Sequence, residues 1–291
     1  MNTKQLNQIY DTSVIIIMTI VVLLCLIPFL HIASVSLSSN NAIMSDKVTI
    51  LPYDIDLESY RSIFRDKDMI RALFFTIEVT GIYVVISMFM TVCAAYPLTK
   101  KWLNGRGFFI SIIVITMFFQ GGIIPDYILM RNLRLINNMW VLILPQMISV
   151  FNLIVLKSFL STIPESILES AYIDGANEIS ILARIVIPLS TPVLATLSLF
   201  YAVTKWNSFQ DALFYISERA LFPLQLIIYQ IIYLSQAIDM IVQEGANMNT
   251  NILPESLKAA SVMFATIPIL LVYPWLQKYF IKGATLGSLK G

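Results

Sequence analysis

Six apolar segments, each close to the length that crosses a lipid bilayer, constrain the fold of this chain more than any other feature. A helix needs about 20 mostly apolar residues to cross a hydrocarbon core of about 30 Å, and lipid offers the backbone no hydrogen-bond partners. We therefore predict an all-α integral membrane protein with six transmembrane helices in a single domain over residues 1–291. The predicted spans lie at 13–33, 72–98, 107–125, 138–160, 183–206 and 257–280.

The composition favours a membrane location and argues against several other classes. Hydrophobic residues make up 57% of the 291 residues and charged residues 13%, which leaves little sequence for a separate soluble domain. The net charge is +1 and the basic residues are scattered, so we predict no nucleic-acid partner. One histidine and two cysteines predict no metal site, and a membrane-embedded enzyme lacks a clustered nucleophile and base.

The orientation is predicted from the short connection at 99–106, which carries three basic residues and no acidic residue. Basic residues in short loops favour the cytoplasmic side, so we expect both termini to be cytoplasmic. The first span exceeds the length of a signal-peptide core and is interpreted as uncleaved. The long segments 34–71 and 207–256 then lie outside, and an interfacial helix is predicted over 60–71, directly before the second span.

The connection at 161–182 has the features of a helix, a tight turn and a second helix. Thr162 and Glu165 have the spacing of a capping box, and Gly175 can adopt the positive φ that ends a helix. Asn177 is a suitable N-cap for the helix that follows. We predict a helical hairpin on the cytoplasmic face with small residues at its corner, although the same pattern fits an ordinary interfacial connector.

A family resemblance rests on the residues of this hairpin. Glu169-Ser-Ala171 is followed by Gly175, nine further residues, Ile185, and then Ile187-Pro188. This sequence resembles the EAA motif of ABC-importer permeases, E-A-A-x-x-x-G followed by nine residues and I-x-L-P. The spacing agrees at every position, and the departures are Ser170 in place of the first alanine and Ile187 in place of leucine.

The resemblance extends to segments outside the hairpin. Trp206-Asn-Ser-Phe209, Leu221-Phe-Pro-Leu-Gln-Leu226 and the tail 281–291 are similar to the carbohydrate-uptake branch that includes the shorter maltose permease subunit. This similarity implies a type I ABC-importer permease fold in which 161–182 is the coupling loop. It also implies two contacts with an ATPase, a docking surface and a second contact in the tail. The docking residues are Glu169, Ala171, Asp174, Gly175 and Ala176, and the tail residues are Gly287, Lys290 and Gly291.

The same resemblance predicts the partners and the cargo. The sequence has no G-x-x-x-x-G-K-[ST] motif, so this chain is expected to bind no cofactor and to leave ATP and Mg to a separate ATPase dimer. The other partners implied are a second homologous permease subunit, which gives a heterodimer, and an extracytoplasmic solute-binding protein. The expected cargo is an oligosaccharide, with uronate-containing fragments of alginate or pectin as candidates. A non-sugar solute such as a polyamine or an anion is an open alternative, because the EAA motif indicates an ATPase partner and does not identify the transported solute.

Polar residues within or beside apolar spans are candidates for the sugar pathway. Contacts between helices, or a position at the membrane interface, explain such residues equally well. The candidates are Glu78, Gln120, Asn152, Trp206, Asn207 and Gln210.

Overall fold

The computed structural model describes residues 3–119, 121–243 and 255–288. Within these ranges, side chains are described for 10–119, 121–233, 255–272 and Pro274. Gln120, Lys290 and Gly291, three of the predicted functional residues, lie outside the described residues. The regular elements of the described ranges are helices and short helical turns, with one isolated bridge between Ser38 and Ile55. The predicted all-α class is confirmed.

The helices are numbered in chain order. They are α1 (Thr3–Ser36), α2 (Asn40–Met44), α3 (Glu58–Arg65), α4 (Lys67–Ala95), α5 (Arg106–Ile115), α6 (Ile123–Asn132), α7 (Val150–Leu160), α8 (Glu165–Ile173), α9 (Glu178–Ile181), α10 (Ile187–Leu189), α11 (Thr191–Trp206), α12 (Gln210–Tyr215), α13 (Leu224–Gln243) and α14 (Glu255–Ser288). Short 3₁₀ turns occupy Pro97–Thr99, Met139–Leu142 and Arg219–Leu221, and a π-helical turn at Leu182–Val186 joins α9 to α10.

Three helices of the described chain are long and apolar enough to cross a membrane, namely α1, α4 with its 3₁₀ extension, and the first half of α14. Two further helix pairs reach the required length only when a bend is included. The pair α7 and α8 is bent by 73°, and the segment Glu178–Leu189 meets α11 at 82°. By length and composition, the described residues therefore hold three continuous spans, or up to five when each bent pair is counted as one.

The predicted spans at 107–125 and 138–160 fall on interrupted helices. The first covers α5, which has 10 residues, and a turn before α6 begins at Ile123. The second covers the 3₁₀ turn Met139–Leu142 and then α7, whose start is fixed by the Ser149 side chain. Gly121-Gly122 and Pro145 explain these breaks, because glycine disfavours a helix and proline lacks the N–H that continues one.

The described chain divides into two compact units. One contains α1 to α3, the first residues of α4, α13 from Ile228 onward and α14 up to Ile267. Ser36 Oγ lies 2.8 Å from Tyr60 Oη, Ser59 Oγ donates to Ser256 Oγ at 2.9 Å, and the rings of Phe64 and Phe264 meet edge to face at 5.6 Å between centroids. These contacts join α3 to the end of α1 and to α14.

The other unit includes most of α4 and the helices from α5 to α12. Its best-defined core joins the end of α4 to α7, α8, α9 and α11. The fully buried members at the centre are Ala95, Leu156, Ile181 and Leu197. Because this core includes residues from the hairpin and from the spans, the hairpin is packed directly against the membrane helices of its own unit.

Candidate functional site

The hairpin at 161–182 forms as a helix, a turn and a second helix. Helix α8 ends at Ile173, Gly175 has φ +78°, and α9 starts after Asn177, whose Oδ1 accepts a hydrogen bond from the N–H of Ser180 at 2.8 Å. The predicted positive φ at Gly175 and the predicted cap at Asn177 are confirmed. The capping box is wrong: Thr162 Oγ1 donates to the Phe159 carbonyl at 2.7 Å and belongs to the end of α7, while Pro164 precedes α8.

The tip of the hairpin exposes two large apolar side chains. Ile173 is 85% exposed and Ile179 is 78% exposed, and they flank the exposed Asp174 and Gly175. The small-residue corner predicted from the sequence does not include these two isoleucines, although an isoleucine beside Asp174-Gly175 in a surface loop is itself a signal. This tip is the surface of the hairpin best suited to contact another protein.

Two of the predicted docking residues lie on the inner side of the hairpin. Ala171 is only 7% exposed and belongs to the core described above, and Ala176 is half-buried against the same core. The Ala176 N–H donates to the Ala171 carbonyl at 2.9 Å across the turn. Their small side chains therefore allow α8 and the turn to approach the membrane helices, whereas Glu169, Asp174 and Gly175 remain on the surface.

A polar cluster of Tyr96, Lys100, Tyr172 and Glu178 fixes the hairpin to the end of α4; we call it the Glu178 cluster. Tyr96 Oη donates to Glu178 Oε2 at 2.6 Å, and Tyr172 Oη donates to Glu178 Oε1 at 2.5 Å. The Lys100 ammonium donates to Tyr172 Oη at 2.8 Å and lies 3.0 Å from Glu178 Oε2. It also lies 4.6 Å from the centroid of the Tyr96 ring.

The charges of this cluster stabilise each other. Burial is the largest effect on Lys100 and favours its neutral form, but the neighbouring Tyr172, Tyr96 and Glu178 outweigh it and raise the pKa of Lys100. Burial is also the largest effect on Glu178, and the hydrogen bonds from Tyr172 and Tyr96 outweigh it and lower the pKa of that carboxyl. Both groups therefore remain charged at neutral pH.

An open cavity of about 800 Å³ lies in the same unit, between α4, α7, α11 and the segments around α6. Its polar lining residues are Tyr83, Thr116, Asp126, Gln146, Ser149, Asn152, Tyr201 and Thr204. Tyr83 and Tyr201 meet edge to face at 5.8 Å between ring centroids. Tyr83 Oη donates to the Gln146 carbonyl at 2.7 Å, and Tyr201 Oη lies 2.7 Å from Thr91 Oγ1 and accepts from the Ser149 N–H at 3.0 Å. The two rings are thus fixed in place.

One of the predicted pathway residues, Asn152, lines this cavity. The others with described side chains do not line it: Glu78 is exposed on α4, Trp206 is buried, and Asn207 Nδ2 donates to the Val203 carbonyl at 2.9 Å. Gln210 is exposed at the first residue of α12. Tyr83 and Tyr201 were missed, although tyrosines within apolar spans are a signal for a sugar-contacting wall.

A buried ion pair joins the end of α11 to α12. Lys205 Nζ lies 3.4 Å from Asp211 Oδ2, and the side chains are 8% and 14% exposed. Removing one partner of a buried ion pair leaves an uncompensated charge and typically costs about 3–5 kcal/mol, whereas replacing both with apolar groups is often neutral.

We therefore expect Asp211→Asn to lower the midpoint of thermal unfolding of the detergent-purified protein by several degrees. The double variant Lys205→Met with Asp211→Leu should recover most of the loss. Equal midpoints for wild type and Asp211→Asn would show that the pair contributes nothing to stability.

Comparison with known proteins identifies the family. The family described as "Binding-protein-dependent transport system inner membrane component" matches residues 67–285. The polygalacturonan/rhamnogalacturonan transport system permease protein YtcP of Bacillus subtilis is 39% identical over 98% of this chain and 99% of its own length. Protein LplC of the same organism is 38% identical over 100% of this chain and 97% of its own length.

A solved structure supports the same assignment. One chain of a bacterial ABC transporter involved in the import of the acidic polysaccharide alginate is 31% identical and superposes with a TM-score of 0.82, over 94% of this chain and 97% of the solved one. The sequence-based prediction of an ABC-importer permease is confirmed. The chain belongs to the binding-protein-dependent transport system inner membrane component family, as a permease subunit and not an enzyme.

Proposed function

We propose that this chain forms half of the translocation pathway of an ATP-driven oligosaccharide importer, with the hairpin tip as its contact to the ATPase. The observation that carries the proposal is the combination of an exposed apolar tip at Ile173–Ile179 with a hairpin packed directly on the membrane helices. A force applied at the tip therefore acts on a structure that is continuous with the helices lining the cavity.

The docking surface differs in part from the one that the motif implies. Glu169, Asp174 and Gly175 are exposed and retain their proposed role, and Ile173 and Ile179 are added to them. Ala171 and Ala176 instead act from inside by allowing close packing of the hairpin. In the tail, Gly287 lies within α14, and we propose that it forms a second ATPase contact with Lys290 and Gly291.

The same arrangement supports an orientation with both termini in the cytoplasm. The basic connection at 99–106 contacts the hairpin: Lys101 Nζ lies 3.0 Å from Glu165 Oε2, and Lys100 reaches Glu178. Both segments thus lie on one side of the unit, which is the side that the basic residues assign to the cytoplasm. A separate ATPase dimer binds ATP and Mg on that side.

The cavity favours a sugar as cargo. Aromatic rings, hydroxyls and amides are the groups that contact the apolar faces and the hydroxyls of a sugar, and Tyr83, Tyr201, Ser149, Thr204 and Asn152 supply them. The similarity to a polygalacturonan/rhamnogalacturonan transport permease and to an ABC transporter involved in alginate import extends the proposal to uronate-containing oligosaccharides. Because Asp126 repels a carboxylate, this wall is expected to face the hydroxyls of a uronate, and its carboxylates to face the second permease subunit.

The mechanism is alternating access. A solute-binding protein delivers the sugar from outside, and ATP closes the dimer of ATPase subunits. The two coupling hairpins move with the ATPase, the spans open toward the binding protein, and hydrolysis restores the inward-facing state.

The test is reconstitution of this chain with its second permease subunit, its ATPase and its binding protein in proteoliposomes. We expect ATP hydrolysis to be stimulated by an oligosaccharide from a panel of oligogalacturonates, oligoalginates and neutral oligosaccharides. Spermidine and phosphate in the same assay test the polyamine and anion alternatives. Stimulation by one of these two and by no sugar would overturn the choice of cargo, and purification without an ATPase partner would overturn the importer.

A further inference from the structure

The Glu178 cluster shares no residue with the lining of the cavity, and its two hairpin members directly precede the exposed Ile173 and Ile179 in the chain. It joins the two elements that must move together. Tyr172 and Glu178 belong to the two arms of the hairpin, α8 and α9, while Tyr96 and Lys100 follow directly from α4. Helix α4 carries Tyr83, one of the two tyrosines of the cavity wall. The cluster is thus a polar connection between the tip of the hairpin and a helix that shapes the pathway.

Several contacts at once also fix the position of the Glu178 carboxylate within the cluster. Both oxygens of the Glu178 carboxylate accept hydrogen bonds, from Tyr96 and from Tyr172, and Lys100 contacts the carboxylate and Tyr172 at once. Lys100 is 9% exposed, so solvent screens its contacts far less than those of a surface lysine. A carboxylate held by three groups from two elements resists both sliding and rotation of the hairpin against α4.

We propose that Tyr96, Lys100, Tyr172 and Glu178 are positioning residues that make the hairpin and α4 move as one body, so that each ATP cycle is converted into opening of the pathway. This inference rests on the proposed function and adds the route by which the motion is transmitted. In the absence of the cluster, the hairpin still docks through its tip, but α8 and α9 can shift on the membrane helices without moving α4.

A second ion pair in the same region provides a matched control. Lys101 Nζ and Glu165 Oε2 are also 3.0 Å apart, and this pair also joins the connection after α4 to α8. Its side chains are 77% and 66% exposed, so water and salt screen the interaction. The two pairs share their N–O distance, and both join the connection after α4 to the hairpin. They differ in the arm of the hairpin they reach, in burial and in the tyrosines that surround Glu178.

The experiment measures sugar imported per ATP hydrolysed in proteoliposomes that contain equal amounts of assembled complex. Glu178→Gln is expected to lower this ratio by about fivefold or more, the lower end of typical coupling between sites. Tyr96→Phe, which removes one hydroxyl and keeps the packing, should lower it in the same direction by a smaller factor. Lys101→Gln should leave the ratio at the wild-type value. Because the amounts of assembled complex are equal, a loss of assembly cannot account for a lower ratio.

The outcomes separate this inference from the proposed function. An unchanged ratio in both Glu178→Gln and Tyr96→Phe would overturn the inference while the importer stands, as would an equal loss in Lys101→Gln. A wild-type complex without sugar-stimulated hydrolysis would refute the proposed function, and the inference with it.

Discussion

Replacing Gly175 with tryptophan is expected to abolish sugar-stimulated ATP hydrolysis while the chain still inserts into the membrane. A Cβ added at Gly175 meets no atom of the chain within 4 Å, so the new ring would project from the hairpin tip into the space that the ATPase occupies in our proposal. The loss should exceed about tenfold, or roughly 1.4 kcal/mol, in the stimulated rate. Co-purification of the ATPase with the variant measures the loss of docking directly.

Gly105 supplies the control for backbone strain. It has the same φ of +78°, at the start of α5, and its added Cβ would only touch the Phe109 ring at 3.5 Å. A residue with a side chain in this left-handed conformation costs about 1–2 kcal/mol at either position. Gly105→Ala and Gly175→Ala should therefore lower stability by similar amounts. If Gly175→Trp retains the ATPase and the stimulated rate, the tip is not the docking surface.

The variant Thr204→Trp is expected to reduce uptake by at least about tenfold, again roughly 1.4 kcal/mol. Thr204 is exposed on α11 and lines the cavity, so an indole at this position would occupy space that a sugar needs. Because the residue is remote from the hairpin in sequence and not part of it, the ATPase should still assemble with the complex. Uptake of labelled sugar into proteoliposomes measures the effect.

Val203 is the matched control for this substitution. It precedes Thr204 on the same helix, is 37% exposed, and does not line the cavity. Val203→Trp introduces the same side chain at a neighbouring position and should retain uptake close to the wild-type value. Equal losses in the two variants would show that the effect comes from α11 itself, and normal uptake in Thr204→Trp would remove the cavity from the pathway.

The sequence predicts the helical class and the hairpin because these depend on local chemistry. Apolar length determines α1, α4 and α14, and the turn follows from a glycine at positive φ and an asparagine cap. The interruptions within the other apolar segments are harder to predict. Runs that look continuous in hydropathy are broken near Gly121 and Pro145, since a bundle can satisfy freed backbone groups through neighbouring helices.

The candidate site likewise combines features that the local sequence predicts with features that depend on tertiary packing. The exposure of Gly175 and Asp174 follows from the turn, whereas the burial of Ala171 depends on which side of α8 faces the core. The Glu178 cluster brings together residues about 80 positions apart, for example Tyr96 and Glu178. No local pattern encodes such a contact, and a lysine and a glutamate in short connections between apolar spans have the appearance of ordinary solvated charges.

Because of the π-helical turn at Leu182–Val186, the number of residues in this segment matters for function. A π turn holds one residue more than an α turn, and each residue of an α-helix advances the chain by about 100° around the axis. Deleting a single residue there would restore regular α-helix and would rotate everything beyond it relative to the hairpin. Tyr201 and Thr204, which lie on α11 beyond the 82° bend, would then be displaced from the cavity wall while the hairpin tip kept its shape. Homologous chains that function with the same motif are therefore expected to conserve the spacing between Gly175 and Pro188 more strictly than the residues that occupy it.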